Sequence, residues 1–264
     1  MTGTAVFNGN GRSRYRLSSP KWANRALFPN IVFDVIAFDA DDTLWHNERD
    51  YRRAAARLQT LLASYHHVEV VERALFETEM GNLDGYGYGL KAFALSMIET
   101  AVTLSDGQIP GSDILQIIHA AKEMIATDVE LLPGVAETLA ALAPHHPLMV
   151  ITKGDLLDQE RKLARSGLAD VFTHFEVVSH KTPQTYHDLL DRHGITPQRF
   201  VMIGNSLRSD VLPVVEIGGT AVYIPHALTW EYEASVDSSP HTNGYYELPH
   251  IHDLPALLQQ IAAR

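Results

Sequence analysis

The stretch Val35-Ile36-Ala37-Phe38-Asp39-Ala40-Asp41-Asp42-Thr43-Leu44 constrains this chain more than any other. A short apolar run ends in three carboxylates and a hydroxyl. Apolar runs of this length suit a strand buried on both faces of a parallel sheet. Carboxylates at its carboxyl end then stand in the crevice beyond the strand tips, where open α/β sheets bind ligands. Asp39 and Asp41, two apart on an extended backbone, are expected to point the same way. Such a pair repels itself unless a cation or a shared proton compensates, and magnesium, a hard divalent cation, is the simplest compensation. Taken alone, Asp41-Asp42-Thr43 would also serve as a polar turn after a strand.

Composition narrows the setting. With 264 residues the chain can bury one large core, or a main domain plus a smaller one. It has no cysteine, which excludes disulfides, thiolate zinc sites and cysteine nucleophiles and fits a reducing, cytoplasmic setting. A net charge of -11 argues against general nucleic-acid binding, which relies on Lys and Arg against phosphates. An anionic substrate would need a local positive site built from metal, Lys and backbone amides. No apolar run approaches the length of a membrane-spanning helix. Before Asp34 there is no acidic residue, while Arg12, Arg14, Arg16, Lys21 and Arg25 are basic. Organelle transit peptides share that bias, but Gly9, Gly11, Pro20 and Pro29 interrupt any long amphipathic helix. Residues 1–30 are therefore read as a poorly ordered or surface-draped basic extension.

After Leu44 the apolar spacing turns helical. Ala54, Leu58, Leu61 and Leu62 recur at helix spacing, as do Val71, Leu75 and Phe76, with further helical stretches at Leu90–Leu104 and Ile114–Ala126. No strand is expected between about residues 47 and 128. From Leu131-Leu132-Pro133-Gly134-Val135 onward, strands and helices alternate. Strands are expected at Pro147–Thr152, His174–Ser179, Phe200–Ile203 and Thr220–Ile224. Helices are expected at Leu156–Ser166, Gln184–His193, Leu207–Ile217 and Leu254–Ala263, with Pro213 kinking the third of these or limiting its first turns. The fold class is thus α/β: a Rossmann-like parallel-sheet core, residues 31–46 and 129–264, interrupted by an all-helical cap domain over 47–128. Gly81, Gly85, Gly87 and Gly89, interleaved with Tyr86 and Tyr88, read as a helix–helix linker. The competing reading is a lid that brings Tyr86 or Tyr88 over a ligand.

Three further strand ends carry groups suited to phosphate. The second strand runs into Thr152-Lys153-Gly154, where a hydroxyl beside a helix start can cradle an oxyanion or simply cap the helix. The third leads to Lys181, whose ammonium can meet a phosphoryl oxygen or the Asp39 carboxylate. The fourth runs into Gly204-Asn205-Ser206-Leu207-Arg208-Ser209-Asp210, in which Asn205 and Asp210 offer oxygen ligands for a metal. The segment Pro225–Trp230 lines the site rim or packs on the core edge.

In their order and content these strand tips resemble the haloacid dehalogenase superfamily of aspartate-nucleophile hydrolases, over approximately residues 31–264. Asp39-Ala40-Asp41-Asp42-Thr43-Leu44 resembles the first and most specific motif. Thr152 matches the second motif, Lys181 the third, and Gly204-Asn205 through Asp210 the fourth. A helical insertion directly after the first motif resembles the type in which a helical bundle covers the site. The resemblance implies a magnesium-dependent phosphatase acting on a small phosphorylated metabolite. Asp39 would be the nucleophile and Asp41 the acid and base, while Thr152, Lys153 and Lys181 would bind the phosphoryl oxygens. Magnesium would be held by Asp39, the Asp41 carbonyl, Asp210 and Asn205. Asp42 is the dispensable member of the three acids. Asn205 departs from the pattern, because many relatives carry an aspartate there. A phosphotransferase or phosphomutase would share the whole apparatus. A dehalogenase would lack an acid equivalent to Asp41. A non-catalytic ligand-binding relative would be expected to lose the nucleophile or the acid, and both are present.

Overall fold

The computed structural model describes residues 33–234 and 244–263, together with a short antiparallel pair, β1 (Val6–Phe7) and β2 (Ser13–Arg14). Apart from that pair, the basic extension lies outside the described residues. Six further strands form one parallel sheet among the described residues: β3 (Val35–Phe38), β4 (Leu148–Lys153), β5 (His174–Val178), β6 (Phe200–Gly204), β7 (Thr220–Tyr223) and β8 (Tyr246–Glu247). Their order is β5-β4-β3-β6-β7-β8, and each neighbouring pair is parallel. The first strand in sequence therefore lies inside the sheet, between β4 and β6. Strand order reverses there, and that reversal opens a crevice at the carboxyl ends.

Period-two alternation explains how β3 builds two cores at once. Ile36 and Phe38 face a cluster with Leu139, Leu142, Leu254 and Leu258, supplied by α5 (Val135–Leu142) and α10 (Leu254–Ala262). Val35 and Ala37 face the other way, onto Tyr186, Leu189, Val211 and Val214. α7 (Pro183–His193) and α8 (Leu212–Glu216) carry three of those four residues. Each of the large side chains fully buried here contributes about 1.5–3 kcal/mol relative to exposure.

The insertion is a bundle of α1 (Glu48–Leu62), α2 (Val68–Tyr86), α3 (Leu90–Leu104) and α4 (Gly111–Ala126). It has a separate apolar cluster in which Ala54, Leu58 and Leu62, at i, i+4 and i+8 on α1, meet Val71, Phe93, Met97 and Ile117. The chain enters and leaves the bundle side by side. His46 N donates to Glu130 O at 3.0 Å, and Leu132 N to Leu44 O at 3.0 Å.

Several expectations need correction. Gly81, Gly85 and Tyr86 lie within α2, so the linker is only Gly87-Tyr88-Gly89. The stretch Leu207–Ile217 is not one helix. A wide π-type turn over Leu207–Val211 precedes α8, and Pro213 occupies the first turn of α8, where its missing N–H costs no intrahelical bond. β8 and the short helix α9 (Glu231–Ala234) were not anticipated, being too short for a periodic signal.

The bundle is seated on the sheet domain at Gly89. Its φ of 117° is left-handed backbone, and a Cβ there would lie 2.7 Å from the backbone N of Asp155. Asp155 stands just before α6 (Leu156–Arg165) and accepts from Lys91 N at 3.1 Å and Lys91 Nζ at 3.0 Å. Gly89→Ala is expected to lose more than about 1 kcal/mol. It should lose more than Gly87→Ala, whose φ is also positive at 72° but whose surroundings are open. Urea unfolding of the two variants checks this, and equal losses would contradict the close seam.

Candidate active site

Asp39 directly follows β3, Lys181 lies between β5 and α7, and Asp210 lies in the turn after β6. The three side chains meet in the crevice. Lys181 Nζ donates to Asp39 Oδ1 and, at 2.6 Å, to Asp210 Oδ1. The Lys181 side chain is 1% exposed. Asp210 Oδ2 accepts from Ser206 N at 3.0 Å. Gly204 makes this possible, because a Cβ at that position would fall onto the Asp210 carboxylate. One ammonium thus serves two buried carboxylates. Burial pushes the Asp39 carboxyl up to about 7, with Lys181 opposing and Asp210 adding to the rise. Burial alone would lower the Lys181 ammonium, but Asp210 and Asp39 overcome it and hold the group above its ordinary value. The cluster carries more negative than positive charge.

Thr43 Oγ1 lies 3.3 Å from Asp39 Oδ2 and 3.2 Å from Asn205 Oδ1, which places Asn205 beside the same carboxylate. Among the described residues no group of three or more His, Asp or Glu side chains is arranged to hold a metal. Asp39, Asp210 and Asn205 instead form a set of two carboxylates and one amide.

Asp41 lines the same cavity as Asp39 and adds to the rise of its carboxyl, although β3 itself ends at Phe38. Asp41 Oδ1 accepts from Trp45 Nε1 at 2.8 Å and Lys162 Nζ at 2.9 Å, and its Oδ2 from Gln159 Nε2 at 2.8 Å. Asp42, read as dispensable, has a structural task. Its carboxylate accepts from Asn47 N and Glu48 N, both at 2.9 Å, at the exposed amide end of α1.

Thr152 is buried, and its hydroxyl lies 3.3 Å from the Lys153 carbonyl. Lys153 Nζ donates to Ser209 Oγ at 2.9 Å and to Glu233 Oε1, and it lies 4.2 Å from the centre of the Tyr88 ring. Glu233 Oε2 also accepts from Ser206 Oγ and, at 2.6 Å, from Ser209 Oγ. Burial would raise the Glu233 carboxyl, but Lys153 and the two hydroxyls overcome that and lower it. Of the two tyrosines in this segment, Tyr88 of the linker turns into the crevice, whereas Tyr86 at the end of α2 is 55% exposed. Glu233, Gln159 and Lys162 escaped the sequence reading. Gln159 and Lys162 are spaced i, i+3 on α6, a signal shared by any polar helix face.

Most of these groups, though not Thr43, Trp45 or Lys162, line one cavity of about 230 Å³ that runs from the strand tips into the bundle. Asp39, Asp41, Thr152, Lys153, Lys181, Asn205 and Asp210 form its floor, and Thr229 and Trp230 stand on its wall. The bundle side carries Glu48, Arg52 and Glu79. Burial pushes the Glu48 carboxyl up to about 7 despite Arg52 at 3.3 Å. Burial, then Glu48, pushes Glu79 up to about 8.

The sequence profile of the haloacid dehalogenase-like hydrolase family matches residues 33–218. The chain belongs to this family. A haloacid dehalogenase-like hydrolase from Xanthomonas campestris is 40% identical, with a TM-score of 0.79 over 88% of this chain and 93% of that one. A glyceraldehyde 3-phosphate phosphatase from Pyrococcus furiosus is 28% identical over 115 residues, 40% of this chain and 48% of that protein. The chain thus spans about half the length of that curated relative. A 2-haloacid dehalogenase from Pseudomonas syringae shares the fold at 20% identity and a TM-score of 0.58, covering 87% of this chain and 99% of that one.

Two expectations follow for this haloacid dehalogenase-like hydrolase. Lys181→Met leaves two buried carboxylates without a cation and should destabilise the protein by about 3–5 kcal/mol at neutral pH. The loss should shrink in acid as the carboxylates take up protons, which urea titrations across pH would show. For Glu79 the ordinary value is 4.5 and the folded value about 8, so the folded state holds more protons between them. Stability should therefore fall as pH rises through that window and level off above it. Glu79→Gln should flatten this part of the profile; an unchanged slope of melting temperature against pH would contradict it.

Proposed function

We propose that this hydrolase is a metal-dependent phosphatase that cleaves a small phosphorylated metabolite through an aspartyl-phosphate. The reading rests chiefly on Asp39, a carboxylate at a central strand tip, held beside Lys181 and sharing its cavity with a second acid, Asp41. A dehalogenase would have no use for Asp41, so the dehalogenase neighbour counts for the fold and not for the chemistry. The named phosphatase relative supports the same direction.

A carboxylate oxygen of Asp39 attacks phosphorus in line, and the bond from phosphorus to the ester oxygen breaks. The departing alkoxide takes a proton from Asp41. Water, losing a proton to Asp41, then attacks phosphorus and releases phosphate from Asp39. The partners of Asp41 are an indole N–H, an amide N–H and an ammonium, all donors. They hold it as an acceptor, the form that activates water. To serve as the acid, Asp41 exchanges these partners for the leaving oxygen and takes up a proton, which the attacking water returns to it at the end of each turnover. Lys181 holds Asp39 in place and faces the transferring oxygens, and the Thr152 hydroxyl is within the same floor.

The oxygen donors of Asp39, Asp210, Asn205 and the Asp41 carbonyl fit a hard cation, and the surplus negative charge around Lys181 is what such a cation would relieve. Magnesium bound there would offset repulsion between nucleophile and phosphate. The test is release of phosphate from p-nitrophenyl phosphate. Expected are dependence on added magnesium and a loss of at least about a thousandfold in Asp39→Asn, as fits removal of a covalent nucleophile. Equal release by wild type and Asp39→Asn would refute the assignment.

A further inference from the structure

The bundle half of the cavity is where the leaving group of a bound phosphomonoester would lie, if the phosphate meets Asp39 as proposed. Several of its polar groups are satisfied within the protein. Glu48 is paired with Arg52 at 3.3 Å. The Asn82 amide donates to Ser96 Oγ at 3.1 Å and to Glu99 Oε2 at 2.8 Å. Glu79 differs: it lines the cavity, yet no described residue gives it a hydrogen bond or an ion pair. The charged groups around this part of the wall are Glu48 and Arg52 on α1 and Glu99 on α3, and Arg52 is engaged by Glu48. Two aromatic rings of the same cavity, Tyr51 and Phe93, lie with centroids 4.8 Å apart.

We infer that the leaving group carries an amino group, received as an ammonium by the Glu79 carboxylate beside the Tyr51 and Phe93 rings. The substrate class is a zwitterionic phosphomonoester, the phosphate of a small amino alcohol or amino sugar. An unsatisfied carboxyl on a cavity wall calls for a donor. An ammonium brings three donors and the charge that burial has made costly for Glu79 to balance alone. Aromatic faces favour a cation over a neutral hydroxyl. A second phosphate or a carboxylate on the leaving group would face two acids, Glu79 and Glu48, against the single cation Arg52, whose Nε is spent on Glu48, and is selected against.

The inference depends on the phosphatase reading for its orientation, and the test separates the two. Calorimetric binding to Asp39→Asn protein compares 2-aminoethyl phosphate with 2-hydroxyethyl phosphate, a near-isosteric pair. A preference of about tenfold or more for the amine is expected, equivalent to about 1.4 kcal/mol. Adding Glu79→Gln should bring the two ligands within about twofold. At pH 7 Glu79 is largely protonated when the cavity is empty, so binding of the amine should release a proton, seen as a dependence of the heat on buffer ionisation. Equal binding of the two ligands overturns the inference, as does a preference that survives Glu79→Gln. Absence of Asp39-dependent phosphate release, with the amine preference intact, would instead overturn the phosphatase reading alone.

Discussion

A single buried ammonium organises this molecule. Lys181 is shared between Asp39 and Asp210, and those three residues come from the ends of three different strands. Two carboxylates taken out of water repel each other and lose hydration; a cation between them is what makes their burial tolerable. One positive charge does not fully answer two negative ones, and the Asp39 carboxyl, raised to about 7 by burial, registers the difference. In the proposed phosphatase, the same imbalance is what a bound metal ion would relieve. Structure and chemistry draw on one electrostatic deficit here.

The remaining polar groups are arranged around that cluster by the sheet order. Because β3 lies between β4 and β6, the tips carrying Asp39, Thr152-Lys153 and Gly204-Asn205 open into one crevice, with Lys181 arriving from beyond β5. The helical bundle closes the crevice from above without sharing an apolar core with the sheet. Contact between the two includes polar and backbone groups, as at Gly89 and Asp155, and the ring of Tyr88 against Trp230.

Much of this was legible in the residues, because strand-tip chemistry and helix spacing are both local signals. The apolar run ending at Phe38, the placement of Lys181 against Asp39 and the span of α3 at Leu90–Leu104 needed no knowledge of distant partners. What escaped was set by tertiary contact. The partners that hold Asp41, Lys162 and Gln159, lie more than a hundred residues away in the sequence. Asp42 looked redundant among three acids, yet two backbone N–H groups at the start of α1 depend on it. Glu233 follows no strand and sits in a four-residue helix, so nothing in its neighbourhood announced a bond to Lys153. Residues 81–89 misled because glycine density suggested a linker where α2 continues to Tyr86.

Gly204 shows how narrow the tolerance of such a centre is. Its backbone is not in the left-handed region, so glycine is not required there by torsion. It is required by volume: the space a methyl group would fill already belongs to the Asp210 carboxylate. An alanine at this position would act as a tethered competitor of Asp210, evicting one of the two acids that Lys181 holds. The absence of a side chain is therefore itself a functional group of this site, and one that no chemical inventory of the crevice would count.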